Sequence, residues 1–296
     1  MRAFLFILLT LSLLWGAKND TPALSMRTYK RLVTVQNLIE QKRMKEAGEK
    51  LQHMLEGLPD SATDRAYIFN SAGMYYLQLE AYQQATTLLL QAYNEKALNE
   101  IQTLQLTELI GNLYMHAQNY AKAADFYKHY LHVKPNADKR IVLACGVAYY
   151  QLKDYNAVIT LLKQEKERFK PDENLYQMLF ASYYETKQNQ KALETVNQMI
   201  IHWSHKREYW IQQSSLYYEE GKIGKALESM ELAYHHAILT KESDYMQYIY
   251  LLLEKEIPYK AAVLLKRFIK ENKVGDSKRH RELLKQSLML AREKES

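Results

Sequence analysis

The chain has 296 residues, 47% of them apolar, with only 9 Gly and 5 Pro. That is too few turn-formers for an all-β protein, and long helices fit better. Its 40 basic and 34 acidic side chains leave a net charge of +6, mixed in sign along nearly all of its length, so nucleic-acid binding is not demanded.

The first residues read as an export signal. Arg2 is a short positive start, Ala3 to Trp15 is apolar apart from Thr10 and Ser12, and Gly16-Ala17 are small residues ahead of the polar Lys18-Asn19-Asp20. The expected leader is 1–17, cut after Ala17, with 18–27 a linker. Trp15 is large for its place two residues before the cut, so a retained anchor is the alternative. The apolar stretch is nevertheless well short of the ~20 residues that span a bilayer comfortably. No cysteine near the cut could carry a lipid, and Cys145, alone in the chain, excludes an intramolecular disulfide.

From residue 28 to 274 the chain repeats itself. Leu175-Tyr-Gln-Met-Leu-Phe-Ala-Ser-Tyr-Tyr-Glu returns as Tyr209-Trp-Ile-Gln-Gln-Ser-Ser-Leu-Tyr-Tyr-Glu, an offset of 34, and Lys191-Ala192-Leu193-Glu194 returns as Lys225-Ala226-Leu227-Glu228 at the same offset. Related words stand at Tyr82, Tyr120, Tyr155 and Tyr259. Anchored on the small residue of each second helix, units begin near Thr28, Ala66, Leu104, Lys139, Glu173, Arg207 and Glu242, the first ones slightly longer. Residues 275–296 form a capping helix and basic tail, with Leu283, Leu284, Leu288 and Leu290 on or near one face.

Gly111, Tyr114, Tyr120, Ala123, Tyr127 and Pro135 in one unit, and Trp210, Tyr217, Gly221 and Ala226 in another, resemble the tetratricopeptide repeat. The fold class this implies is all-α: a TPR superhelical solenoid of about seven helix-turn-helix units plus the C-terminal capping helix. Small residues such as Gly73, Gly111, Gly146 and Ser214 on first helices, and Ala85, Ala123, Ala192 and Ala226 on second helices, would let paired helices touch. Two departures stand in one unit: Phe180 where the pattern wants a small residue, and Lys187 where it usually has Gly.

A closer resemblance covers roughly Glu173 to Phe268. Lys206-Arg-Glu-Tyr-Trp210, Ser215-Leu-Tyr-Tyr218, Leu239-Thr-Lys-Glu-Ser243 and Ile257-Pro-Tyr-Lys-Ala-Ala262 look like exported bacterial tetratricopeptide proteins described as components of the TonB system. That resemblance implies a periplasmic scaffold or adaptor working beside TonB, ExbB and ExbD. The alternatives are a cell-envelope assembly factor, or a binder of a small ligand or glycan.

The residues with functional content are the doubled tyrosines Tyr149-Tyr150, Tyr183-Tyr184 and Tyr217-Tyr218. Adjacent side chains on a helix point in different directions. The first of each pair belongs to the core pattern; Tyr150, Tyr184 and Tyr218 are expected to line the concave groove and hold a partner segment, flanked by Gln177, Ala181, Glu185, Ile211, Ser215 and Glu219. The other reading is that these rings pack between neighbouring first helices.

No catalytic constellation, metal set or cofactor motif is visible, and an enzyme is not expected. His129 with His132, His202 with His205, and His235 with His236 lack a converging carboxylate or thiol. Lys260 to Lys285 is locally basic, which reads as a solvated end, with an acidic partner or anionic headgroups as alternatives. Membrane contact is otherwise expected only through the partner or a retained leader.

Overall fold

The computed structural model describes residues 23–165 and 168–295, with side chains described to Arg292. The expected leader 1–17 and residues 18–22 of the expected linker lie outside the described residues. Among the described residues there are fifteen helices and no strand.

The chain divides into two compact units after Ala148. The first holds α1 (Met26–Glu40), α2 (Met44–Glu56), α3 (Ala62–Gln78), α4 (Tyr82–Asn94), α5 (Glu100–His116), α6 (Tyr120–Val133) and most of α7 (Lys139–Gln151). The second holds the end of α7, then α8 (Tyr155–Glu165), α9 (Glu173–Glu185), α10 (Asn189–His202), α11 (Arg207–Glu219), α12 (Ile223–His235), α13 (Glu242–Glu254), α14 (Pro258–Lys270) and α15 (Lys278–Glu295). From α1 to α6, and from α8 to α15, each helix packs on the next. In chain order the first fourteen helices follow as seven pairs, of which α1 with α2, α3 with α4, α5 with α6, α9 with α10, α11 with α12 and α13 with α14 pack within a unit, and α15 covers the seventh. α3 and α5 have 17 residues against 13 in α9, α11 and α13, which accounts for the longer early units.

One turn recurs in all seven pairs. Its middle residue takes a left-handed φ: Lys42 (61°), Glu80 (57°), Gln118 (56°), Lys153 (59°), Lys187 (58°), Gly221 (70°) and Glu256 (57°). The next residue then donates its backbone N–H to a carbonyl five residues back, from Arg43 to Leu38 through Ile257 to Leu252, at 2.8–3.0 Å. This is the Schellman closure of a helix C-terminus, which normally recruits glycine. Only Gly221 supplies one; an L side chain in that region costs about 1 kcal/mol. Lys187 therefore adopts the backbone of the glycine it replaces.

Between the helices of a pair, close approach sets the packing. Ala85, Ala123, Ala192 and Ala226 have no exposed surface. A Cβ added at Gly73 would lie 2.6 Å from Leu89 Cγ, and one at Gly111 would lie 2.9 Å from the ring of the buried Tyr127. Phe180, large where the pattern wants a small residue, is still buried. Its ring lies nearly parallel to that of Tyr184, 12° apart with centroids separated by 6.4 Å. In the second unit one core runs from Trp210 through Tyr248 and Phe268 to Val274, and Leu283 and Leu284 of α15 pack against it.

Helix starts follow the sequence. The side chains of Ser25, Ser61 and Asp172 accept the N–H of Thr28, Asp64 and Leu175, and Asn99 with Gln102 forms a reciprocal capping box. Two buried aspartates add links between pairs. Asp64 accepts from the Ser25 N–H (2.9 Å), the Ser25 hydroxyl (2.6 Å) and the Thr28 hydroxyl (2.9 Å). Asp244 accepts from the Arg207 guanidinium and from the N–H groups of Lys241 (2.9 Å) and Thr240 (3.1 Å). Burial alone would raise the Asp244 pKa, but these donors outweigh it and hold the carboxyl below its ordinary range.

Two outcomes test this account. Gln118→Gly should raise stability by about 1 kcal/mol and Gly221→Ala should lower it similarly, read as opposite shifts in urea midpoint. Asp244→Asn should cost about 3 kcal/mol near neutral pH, because the partly buried Arg207 loses its buried counter-charge and keeps only the exposed Glu208 at 3.7 Å. A depressed native pKa stabilises above the unfolded-state value and loses that contribution as pH falls through the native one. The gap between wild type and Asp244→Asn should thus close on acidification below the ordinary aspartate range.

Candidate partner-binding site

α9, α11 and α13 are the first helices of three successive pairs, and their final residues, Glu185, Glu219 and Glu254, are exposed. One residue earlier stand Tyr184 and Tyr218, 36% and 47% exposed. The Tyr184 hydroxyl donates to Glu219 Oε1 at 3.0 Å. The neighbouring carboxylate raises the phenol pKa of each ring, Glu219 for Tyr184 and Glu254 for Tyr218. The Tyr184 ring is thereby tethered at one edge, and part of each ring remains accessible. Lys187 Nζ lies 5.7 Å from the Tyr184 centroid.

Tyr150 behaves differently. It is half-buried, and its ring meets that of Tyr155, the first residue of α8, edge-on at 5.3 Å. Of the core-side partners, Tyr183 is buried at 7% exposure, whereas Tyr149 and Tyr217 are half-buried. The Tyr217 ring has Lys225 Nζ at 5.6 Å and the Tyr183 ring has Lys191 Nζ at 5.7 Å. The recurring Lys-Ala word thus places a cation over the first helix's tyrosine and a methyl group against its backbone.

The flanking residues separate into two groups. Glu185 is exposed at the helix end, and Glu219 is the tether for Tyr184. Ala181 and Ser215 are partly buried, and Ile211 leans onto the second unit's core. Gln177 is exposed but engaged: its amide donates to the Tyr209 hydroxyl at 2.8 Å, and that hydroxyl donates to Glu173, which also pairs with Lys206 at 3.2 Å. Burial, followed by the bond to Glu173, pushes the Tyr209 pKa up to about 12. Sequence reading missed Glu254 and Tyr250. Tyr250 takes the place of Ala181 and Ser215 in α13, is exposed, and accepts a 3.3 Å hydrogen bond from Arg279.

The paired histidines sit beside rings or carboxylates. His129 lies against Tyr93, His202 against Tyr176 and Trp203, and His236 near Trp210, while His235 Nε2 is 3.7 Å from Glu231. Among the described residues no group of three His, Cys, Asp or Glu side chains is placed to hold a metal, and no helix is long and apolar enough to cross a membrane.

No protein-family profile matches the chain, and no curated protein has significant sequence similarity to it. Solved structures resemble it in fold. One, of Naa15/Naa10 bound to HypK-THB, aligns at a TM-score of 0.62 and 16% identity over 88% of this chain, which spans 39% of that one. Another, the C-terminal part of a TPR repeat-containing protein from Cytophaga hutchinsonii, aligns at a TM-score of 0.56 and 15% identity over 86% of this chain and 99% of that one. A tetratricopeptide repeat protein from Parabacteroides merdae covers 88% of this chain and 99% of its own at 16% identity, with a TM-score of 0.46. The fold is that of the tetratricopeptide-repeat solenoids.

Changing Tyr184 and Tyr218 together to Ala should preserve the helical circular dichroism signal and cost about 1 kcal/mol, since one solvent-accessible hydrogen bond, that of Tyr184, is lost. Tyr183→Ala should cost about 3 kcal/mol or more, as expected when a buried aromatic is truncated.

Proposed function

We propose that this chain is a protein-interaction scaffold that holds an extended or helical segment of a partner against the side formed by α9, α11 and α13. The observation that carries the reading is the pair Tyr184 and Tyr218, accessible rings at equivalent places in successive helix pairs, each beside the next pair's carboxylate and the first hydrogen-bonded to it. Rigid aromatics with a satisfied polar tip lose little rotamer freedom on binding, which makes them effective anchors. Tyr150 contributes the edge of a ring pair. The fold supports the reading too, since a structural neighbour was solved as Naa15/Naa10 bound to HypK-THB.

In its finer form the proposal places the mature chain in the periplasm, accessory to TonB-dependent transport. The support for that form lies in the leader-like residues 1–17 and the sequence words between Glu173 and Phe268.

The test is a binding measurement with purified periplasmic portions of TonB and ExbD, with ExbB in detergent, and a periplasmic pull-down beside it. The triple change of Tyr150, Tyr184 and Tyr218 to Ala should weaken capture of the partner at least tenfold, given ~1–2 kcal/mol per anchor and incomplete additivity. Capture at wild-type strength by the triple variant would refute the tyrosine face as the binding surface.

A further inference from the structure

Charge is divided sharply along this chain. Lys260 to Ser296 contains eleven basic and five acidic residues, a net +6, which is the charge of the whole protein; the preceding residues hold 29 of each sign. The excess therefore belongs to α14 and α15 alone. Part of it is neutralised internally: Lys260 pairs with Glu231, Lys273 with Glu271 at 2.6 Å, and Arg281 with Asp276 at 3.7 Å. Lys266, Lys270, Lys285 and Arg292 are exposed and make no ion pair among the described residues.

Helix α15 sorts its side chains by direction. Leu283, Leu284, Ser287 and Ala291 turn towards the protein, the last two being buried and the leucines packed on the second unit's core. Lys278, Arg281, Lys285, Met289 and Arg292 follow at intervals of three and four, which puts them on the opposite side of the helix. Met289 is 63% exposed, and its neighbours Leu288 and Leu290 are 44% and 41% exposed. Among the described side chains Glu282 lies 4.0 Å from Lys278 and Asp276 lies 3.7 Å from Arg281, and in both pairs the cation stays solvent-exposed.

We propose that this outward side of α15 docks directly on an anionic phospholipid surface, with Arg281, Lys285 and Arg292 at the phosphates and Met289 and Leu288 entering between headgroups. Charge complementarity selects an anionic occupant. The form of the surface selects a bilayer over an acidic protein: cations and apolar side chains alternate on the protruding side of one helix, a shape that a fluid headgroup layer accommodates without a matching groove. The sequence alone left this basic end open between a solvated end, an acidic partner and anionic headgroups; the sorting of side chains on α15 selects the last. Membrane docking is independent of the tyrosine face.

The experiment is co-sedimentation of the full chain with vesicles of phosphatidylcholine alone and of equal parts phosphatidylcholine and phosphatidylglycerol. Wild type should bind the anionic vesicles well above the neutral ones, and the excess should vanish near 1 M salt, where the Debye length is ~3 Å. Arg281→Glu, Lys285→Glu and Arg292→Glu combined should reduce the excess by roughly a hundredfold or more, from ~5-fold per cation. These residues are exposed, so circular dichroism should be unchanged. Leu288→Ser with Met289→Ser should also reduce binding, separating insertion from simple charge attraction. Equal binding of wild type to both vesicle types would overturn the proposal, as would unchanged binding by the triple-reversal variant. So would failure to bind vesicles together with reversal-sensitive capture by polyglutamate, which would assign the surface to an acidic protein.

Discussion

Every helix pair depends on one backbone event: a single residue in the left-handed region, followed by an N–H returned to a carbonyl five residues earlier. The event fixes where the first helix ends and the direction in which the second leaves, before any side chain contributes. Seven repetitions with φ between 56° and 70° give the pairs one turn geometry although their sequences differ widely. Six of the seven positions accept the cost of a side chain there. The alanines with no exposed surface then become intelligible, because such a turn brings the two helices close together and favours a small side chain between them, with Val158 filling that place in α8.

A second set of interactions joins one pair to the next, and it is polar or aromatic where the first is backbone. Tyr67 exchanges hydrogen bonds with Gln102, Tyr209 bonds Glu173, and Arg207 bonds Asp244. The Tyr184–Glu219 tether of the candidate site belongs to this set. The same phenol that links neighbouring pairs also presents its ring to solvent, so the proposed binding and the stacking of repeats would draw on shared atoms. Truncating a tethered tyrosine removes a surface anchor and a spacer together, whereas Tyr→Phe separates the two.

How much of this could be read from the sequence follows from the range of each interaction. The seven units were legible because small residues and tyrosines recur at nearly constant spacing, and helix geometry required the two members of each tyrosine pair to point in different directions. The turn conformation was less legible, since only Gly221 carries the expected residue and Lys187 looked like a defect. The tether was illegible because its acceptor, Glu219, lies 35 residues from Tyr184. Tyr150 looked equivalent to its two counterparts, yet the ring of Tyr155 alters its surroundings. A periodic pattern identifies equivalent positions; it does not fix what each position meets.

The buried Asp64 has a bearing on proteolysis near the start of α1. Its three donors all come from Ser25 and Thr28, so the carboxylate clasps the chain where that helix begins and marks a boundary in resistance to proteases. Trimming upstream of Leu24 leaves every one of these bonds in place. A nick just beyond Ser25 would remove two of the three donors and leave the carboxylate held by Thr28 alone. Products trimmed raggedly ahead of the clasp would therefore differ in mass and keep the same anchored start of α1.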